Sequence, residues 1–145
     1  MAFSIIDFIF TRFQIPDTPC PLFVPLVENG CLNDEIAYLA AKKYLLPLKD
    51  KEIDTLILGC THYPLLSEVI ADIMGKDVAL IDPGEHMAVY VEELLKKDHT
   101  QTKSEQKGNF SYYVSDSVQD FSKVGSLFLG QDITEQVKKI DIEQY

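Results

Sequence analysis

Residues 57–64 read ILGCTHYP: an apolar run enters a glycine, and a thiol, a hydroxyl and an imidazole follow in succession. A thiolate at Cys60 can act as a base. Thr61 can offer its hydroxyl or backbone N–H to a carboxylate, and His62 can protonate, orient or assist a neighbouring acid near neutral pH. Glu28 closes a second apolar run, FVPLVENG, and a carboxylate there can share a crevice with Cys60 and His62 and tune the protonation of either. The plainer alternatives stay open on the residues alone: Cys60 as a small buried apolar side chain, His62 as a satisfied surface histidine, Glu28 as a solvated turn acid. Zinc is disfavoured because the C-x-H spacing of Cys60 and His62 lacks a second nearby pair, and no C-x-x-C supports a redox pair, so no metal site is expected. Cys20, Cys31, His86 and His99 have no comparable context and read as structural or exposed.

Such groups need a scaffold that holds a turn in place. Residues 53–58 form a short apolar run rich in β-branched side chains, the form of a parallel strand covered on both faces, and Gly59 ends it. Pro64 suits a first helical position, and Leu65, Leu66, Val69, Ile70, Ile73 and Met74 recur with helical spacing until Gly75. The unpaired N–H groups and positive dipole end of that helix face the turn, which favours a thiolate at Cys60.

Before this unit, residues 22–27 read as a short buried strand carrying Pro25, and Asn33 caps a helix to about Leu46 whose stripe is Ile36, Leu39, Ala40 and Lys43. After it come a strand over 78–81 and a helix over 85–97 with Ala88, Val91 and Leu95 inward. Residues 99–108 are polar and aperiodic. Beyond them the pattern suggests strands over 110–114 and 127–129, a helix over 117–123 and a terminal helix over 134–139. Strands alternating with helices predict an α/β fold, a layered parallel sheet with flanking helices.

The 145 residues suffice for one sizeable core, and a hydrophobic fraction of 46% places the chain among ordinary globular proteins. A formal charge of −10 disfavours nucleic acid and anionic membrane surfaces as partners. Three cysteines without a disulfide spacing fit a reducing cytoplasm, and no segment is apolar for long enough to span a membrane. The opening MAFSIIDFIF is interrupted by Asp7 and preceded by no basic residue, so it is not read as a signal peptide; a packed strand or helix is the plainer expectation.

YLLPLKDKEIDTLILGCTHYPLL resembles the second active-site segment of glutamate racemases, with CPLFVPLVENG and ALIDPGEHMA around it in the order that family shows. The resemblance continues more weakly through YYVSDSVQDFSKVGSLFLG, covering the chain from about Cys20 onward. It implies cofactor-independent interconversion of L- and D-glutamate, supplying D-glutamate for peptidoglycan in a bacterial cytoplasm. The family places two cysteines on opposite faces of the substrate, one taking the α-proton as thiolate and the other delivering a proton. By this resemblance Cys60 is one of the two, Thr61 contacts the substrate, His62 assists the cysteine and Glu28 supports it. Aspartate racemases share the two-lobe design, but GCTHYP with FVPLVE upstream is more similar to the glutamate enzymes. A thiol hydrolase lacks a recognisable acid partner for its Cys-His pair.

The family has two pseudo-symmetric α/β lobes with the substrate between them, and its first lobe carries Asp-Ser-Gly, Pro-Tyr-Gly and the other cysteine in an Asn-Thr context. None of these stretches is in this sequence. The expectation is therefore a second lobe over 20–100, an unrelated leader over 1–19 that a truncated or frame-disrupted gene would explain, and a segment over 101–145 that in the family returns to the first lobe. An exposed apolar face and self-association are expected, with weak or no activity alone. The competing expectation is a non-catalytic remnant, or a fragment that binds a partner such as a complementary first lobe.

Overall fold

The computed structural model describes residues 16–106 and 108–144, so most of the expected leader lies outside the described residues. The chain divides into two compact units, residues 1–82 and residues 83–145.

In the first unit the expected strand over 22–27 is instead a short helix, α1 (Phe23–Glu28). Its two buried side chains, Phe23 and Val27, stand four residues apart. So short an apolar run carries no period that separates strand from helix, and Pro25 in the first turn gives up no helical hydrogen bond. The next helix, α2 (Glu35–Lys49), starts at Asp34 rather than Asn33: the Asp34 carboxylate accepts the Ala37 N–H at 2.9 Å. That bond holds the Asp34 carboxyl below its ordinary range, with the Cys31 thiol as a second donor. Asn33 is thereby released to donate to Glu68 at 2.7 Å.

The buried stripe of α2 is also rotated from the expected one. Ala37, Ala40, Ala41, Leu45 and Leu48 face inward, while Ile36 and Leu39 are 58% and 61% exposed. Small alanines let α2 approach α3 (Ser67–Met74), which presents Val69, Ile70, Ile73 and Met74. Polar contacts fix the pairing: the Tyr38 hydroxyl donates to Asp72 at 2.5 Å, and Lys49 Nζ donates to the Ile73 carbonyl at 2.9 Å.

Strand β1 (Thr55–Ile57) pairs in parallel with β2 (Ala79–Ile81), Leu56 opposite Leu80. The parallel pairing matches the sequence-based expectation, but burial on both faces does not: Thr55 and Ile57 are exposed, because this sheet has two strands among the described residues. Fourteen buried side chains nevertheless form one cluster, from Cys20 through Phe23, Leu45 and Leu66 to Met74. Burying a side chain as large as Phe, Leu or Ile contributes about 1.5–3 kcal/mol relative to leaving it in water.

The second unit is built differently. Helix α4 (Pro83–Lys97) has the expected acid in its first turn and lysines in its last, yet it buries no residue, so Ala88, Val91 and Leu95 are not inward. Its amphipathic spacing marks a face made to be covered, and among the described residues it stays exposed. Strand β3 (Tyr112–Val114) pairs in parallel with β4 (Val137–Lys139), and α5 (Val118–Leu129) makes the crossover.

Two expectations fail in this crossover. Residues 127–129 are the end of α5 rather than a strand, and 134–139 form a 3₁₀ turn (Thr134–Gln136) leading into β4 rather than a helix. Gly125 is a packing position: a Cβ there would lie 2.7 Å from Ile133 Cδ1. The helix stops five residues later at Gly130, whose φ of +63° is the left-handed cap. Among the described residues of this unit the buried apolar ones are Ile133 and Val137, and the buried Ser122 donates to the Val118 carbonyl at 2.7 Å. For Val137, pairing with Tyr112 overrides the helical propensity of the EQVKK run.

Candidate active site

The turn after β1 is pinned at both ends by buried leucines. Leu58 donates its N–H to the Ile81 carbonyl at 2.9 Å, extending the ladder, and Leu66 is buried in the core. Between them the backbone closes a tight turn in which Tyr63 N–H donates to the Cys60 carbonyl and Leu65 N–H to the His62 carbonyl, both at 3.2 Å. The helix expected from Pro64 begins as a 3₁₀ turn, Tyr63–Leu66, and becomes α-helical only at Ser67. Cys60 and His62 are half-buried on this turn and Thr61 is exposed.

The imidazole of His62 is in contact with Thr61 and with Glu28. Its Nδ1 lies 3.1 Å from the Thr61 hydroxyl oxygen, and its Nε2 lies 3.7 Å from Glu28 Oε1. A carboxylate can only accept, so it favours the tautomer with the proton on Nε2, which leaves Nδ1 to accept from the Thr61 hydroxyl. When His62 is protonated, the same contact is an ion pair. Glu28 reaches this position from the last residue of α1, a helix end and not the strand end expected, and its side chain is 54% exposed against 21% for His62. Thus Glu28, His62 and Thr61 come together in one chain of contacts, adjoining Cys60 through the backbone.

The other thiols are in different settings. Cys20 is buried and its thiol donates to the Thr18 carbonyl at 3.4 Å; burial pushes it up to about 11. Cys31 is held above its ordinary value, chiefly because its thiol donates to Asp34. His86 and His99 are exposed. Among the described residues no group of three or more His, Cys, Asp or Glu side chains is gathered to hold a metal ion, and no helix is long and apolar enough to cross a membrane.

Sequence reasoning passed over Tyr63. Its ring meets Phe23 edge-on at 5.1 Å. Burial first, then the neighbouring Cys20 and Cys60, hold the phenol above its ordinary value. The available signal was its place in the CTHYP run, where it reads as an ordinary aromatic.

No family model matches the chain. Curated relatives do. A glutamate racemase of Thermoanaerobacter sp. (strain X514) is 44% identical over 135 residues, which is 92% of this chain and 50% of the relative. One of Geobacter metallireducens is 46% identical over 117 residues, 81% of this chain and 43% of the relative. Among solved structures, the glutamate racemase of Francisella tularensis in complex with D-glutamate superimposes with a TM-score of 0.78 at 36% identity, over 88% of this chain and 47% of that one. The Thermus thermophilus enzyme in complex with β-chloro-D-alanine gives 0.77 at 34% identity, over 88% and 48%. The chain thus spans about half the length of the relatives it matches, and by sequence and fold it is similar to a C-terminal portion of glutamate racemases.

Proposed function

We propose that this chain supplies one of the two acid/base arms of a cofactor-independent glutamate racemase, with Cys60 as the base. In this reading the Cys60 thiolate takes the α-proton of glutamate: the Cα–H bond breaks, an S–H bond forms, and the electron pair left on carbon is delocalised toward the substrate carboxylate. A second thiol on the opposite face, from a first lobe, then gives its proton to the carbon and becomes the thiolate. An amino-acid Cα–H is a poor acid, so abstraction depends on a positioned base and on donors aimed at the developing charge. Thr61 is the donor to the substrate carboxylate, His62 assists Cys60, and Glu28 holds the His62 tautomer.

The observation that carries this reading is the contact chain Glu28–His62–Thr61 on the turn that bears Cys60, at 3.7 and 3.1 Å. A solvated turn acid and an unrelated surface histidine have no reason to meet across the fold. The substrate is glutamate, matching the D-glutamate bound in the Francisella relative. The role is D-glutamate supply for peptidoglycan in the cytoplasm. Residues 20–100 correspond to the second lobe and 101–145 to the segment that returns to the first. The apolar positions exposed on α4 and α5 favour a partner for this chain, and without a first lobe that partner is a second copy.

The test is complementation. The purified chain is mixed with a separately expressed first lobe of the Thermoanaerobacter relative, and the optical rotation of an L-glutamate solution is followed, with Cys60→Ser as control. Decay of the rotation with the native chain and none with the control supports the reading. Equal rotation in both, from components shown by sedimentation to associate, leaves a partner-binding fragment without chemistry.

A further inference from the structure

Glu28 is the last residue of a six-residue helix, the position that a helix itself holds least well. The last carbonyls of any helix lack partners within it, and a helix this short is not stable on its own. The buried side chains of Phe23 and Val27 fix which face of α1 meets the core, but they do not stop the turn after Val27 from unwinding. Yet the 3.7 Å contact with His62 is made from that end. Something beyond the helix has to hold it.

Asn29, Gly30 and Cys31, which follow Glu28, do so. Gly30 N–H donates to the Val27 carbonyl and Cys31 N–H to the Leu26 carbonyl, each at 2.9 Å, the paired bonds of a Schellman cap. Asn29 brings two donors to one acceptor: its N–H reaches the Pro25 carbonyl at 3.1 Å, and its side-chain Nδ2 reaches the same oxygen at 2.8 Å. The carbonyls of Pro25, Leu26 and Val27, which lead up to Glu28, are thereby all satisfied. Such a cap needs a left-handed residue after the helix, and Gly30 has a φ of +80°. A Cβ at Gly30 would meet nothing within 4 Å, so the glycine answers to the backbone conformation and not to crowding.

We propose that Gly30 is a positioning residue of the candidate active site: by closing the cap of α1 in the left-handed conformation it keeps Glu28 helical and so holds its carboxylate where it meets His62. Asn29 reinforces the cap through its bond to Pro25. Gly30 acts through Glu28 and takes no part in proton transfer. The catalytic meaning of this cap rests on the racemase reading, but the link from Gly30 through Glu28 to His62 is a statement about geometry.

Gly30→Ala adds a methyl group in open space and penalises only the positive φ, whereas Gly30→Asn adds a larger side chain whose residue type tolerates it. The imidazole signals of His62 are followed by proton–carbon NMR at fixed pH, assigned through their absence in His62→Gln, with Glu28→Gln as the benchmark for a lost carboxylate contact. The expected result is that Gly30→Ala moves the His62 signals in the direction Glu28→Gln does and leaves those of His86 and His99 in place, while Gly30→Asn keeps all three near their native positions. With a first lobe present, Gly30→Ala slows α-proton exchange of glutamate by up to about thirtyfold, the population cost of a left-handed alanine. Asn29→Ala removes only the Nδ2 bond and moves the His62 signals the same way by less, which keeps the test available if Gly30→Ala folds poorly. Unmoved His62 signals in a folded Gly30→Ala chain, or in Asn29→Ala where Gly30→Ala does not fold, overturn the proposal and leave the cap a stability element only. A shift in Gly30→Asn as large as that in Gly30→Ala overturns it as well. If the His62 signals move as expected while even the native chain with its first lobe exchanges no α-proton, the cap stands and the racemase reading falls.

Discussion

The two units of this chain treat their apolar residues in opposite ways. Residues 16–82 gather fourteen side chains into one buried cluster, whereas among the described residues beyond Pro83 only Ile133, Val137 and Ser122 are buried. Met87, Tyr90, Val91, Leu94, Phe121 and Phe128 in that second unit are each more than a third exposed. Ordering a residue costs about 1–2 kcal/mol of backbone entropy, and burial is the main term that offsets it. The first unit therefore holds its own shape, and the Cys60 turn is anchored in it by Leu58 and Leu66. The second unit carries its apolar surface outward, as expected of a segment whose covering surface is supplied by something else.

The largest test of this contrast is a matched pair of truncations. Phe23→Ala removes a fully buried ring and lowers stability by about 3–5 kcal/mol, enough to unfold a domain of ordinary stability, while Met87→Ala, at a side chain 58% exposed, costs less than about 1 kcal/mol in urea titrations. Similar losses at both positions would erase the distinction. Amide exchange sharpens it: Ile70 and Leu45 are expected among the slowest amides and those of α4 among the fastest, and uniform protection would contradict the contrast.

A smaller effect comes from Cys20. Its folded-state value is raised, from 9.0 to about 11, so the protonated thiol favours the folded chain. That contribution is whole below pH 9 and is lost as the pH rises toward 11. The melting temperature of the native chain is expected to fall across this window more steeply than that of Cys20→Ala. Parallel curves would show that Cys20 is not held as described.

Asp34 gives the opposite sign. Its folded-state value is lowered, so its capping contribution is present at neutral pH and fades as the pH falls below about 4. Asp34→Ala is expected to melt earlier than the native chain at pH 7 and to converge with it near pH 3. The smallest effect on stability is expected from Tyr90→Lys on α4, within about 0.5 kcal/mol, although sedimentation should show less self-association. A clear loss of stability there would mean that α4 is already covered.

The sequence was most legible where period and punctuation agreed. Pro64, the spacing from Leu66 to Met74 and the stop at Gly75, with φ of 92°, marked α3 and therefore the turn before it. The parallel β1–β2 pair followed from the alternation of elements. It was least legible where two forces competed. Leu22–Val27 is too short for a period, Asp34 and Asn33 are both capping residues, and only Asn33's bond to Glu68 settles which one caps. On α2 the choice between Ile36 and Ala37 as the inward residue depends on how closely α3 approaches, which is a tertiary fact. Gly125 marks a close approach to Ile133, again a tertiary fact. In the site, residue types pointed to Cys60, Thr61, His62 and Glu28, but the meeting of Glu28 with His62 depends on α1 being a helix.

The central claim is that Cys60 is a base for the α-proton of glutamate. The most direct measurement is hydrogen exchange at that carbon: the chain is incubated in deuterium oxide with L-glutamate and, separately, D-glutamate, with and without a first lobe, and loss of the Cα–H signal is followed by NMR. The account predicts exchange of at least one enantiomer, abolished in Cys60→Ser. A folded chain that exchanges neither enantiomer even with the first lobe bound, or exchange that persists in Cys60→Ser, would contradict it.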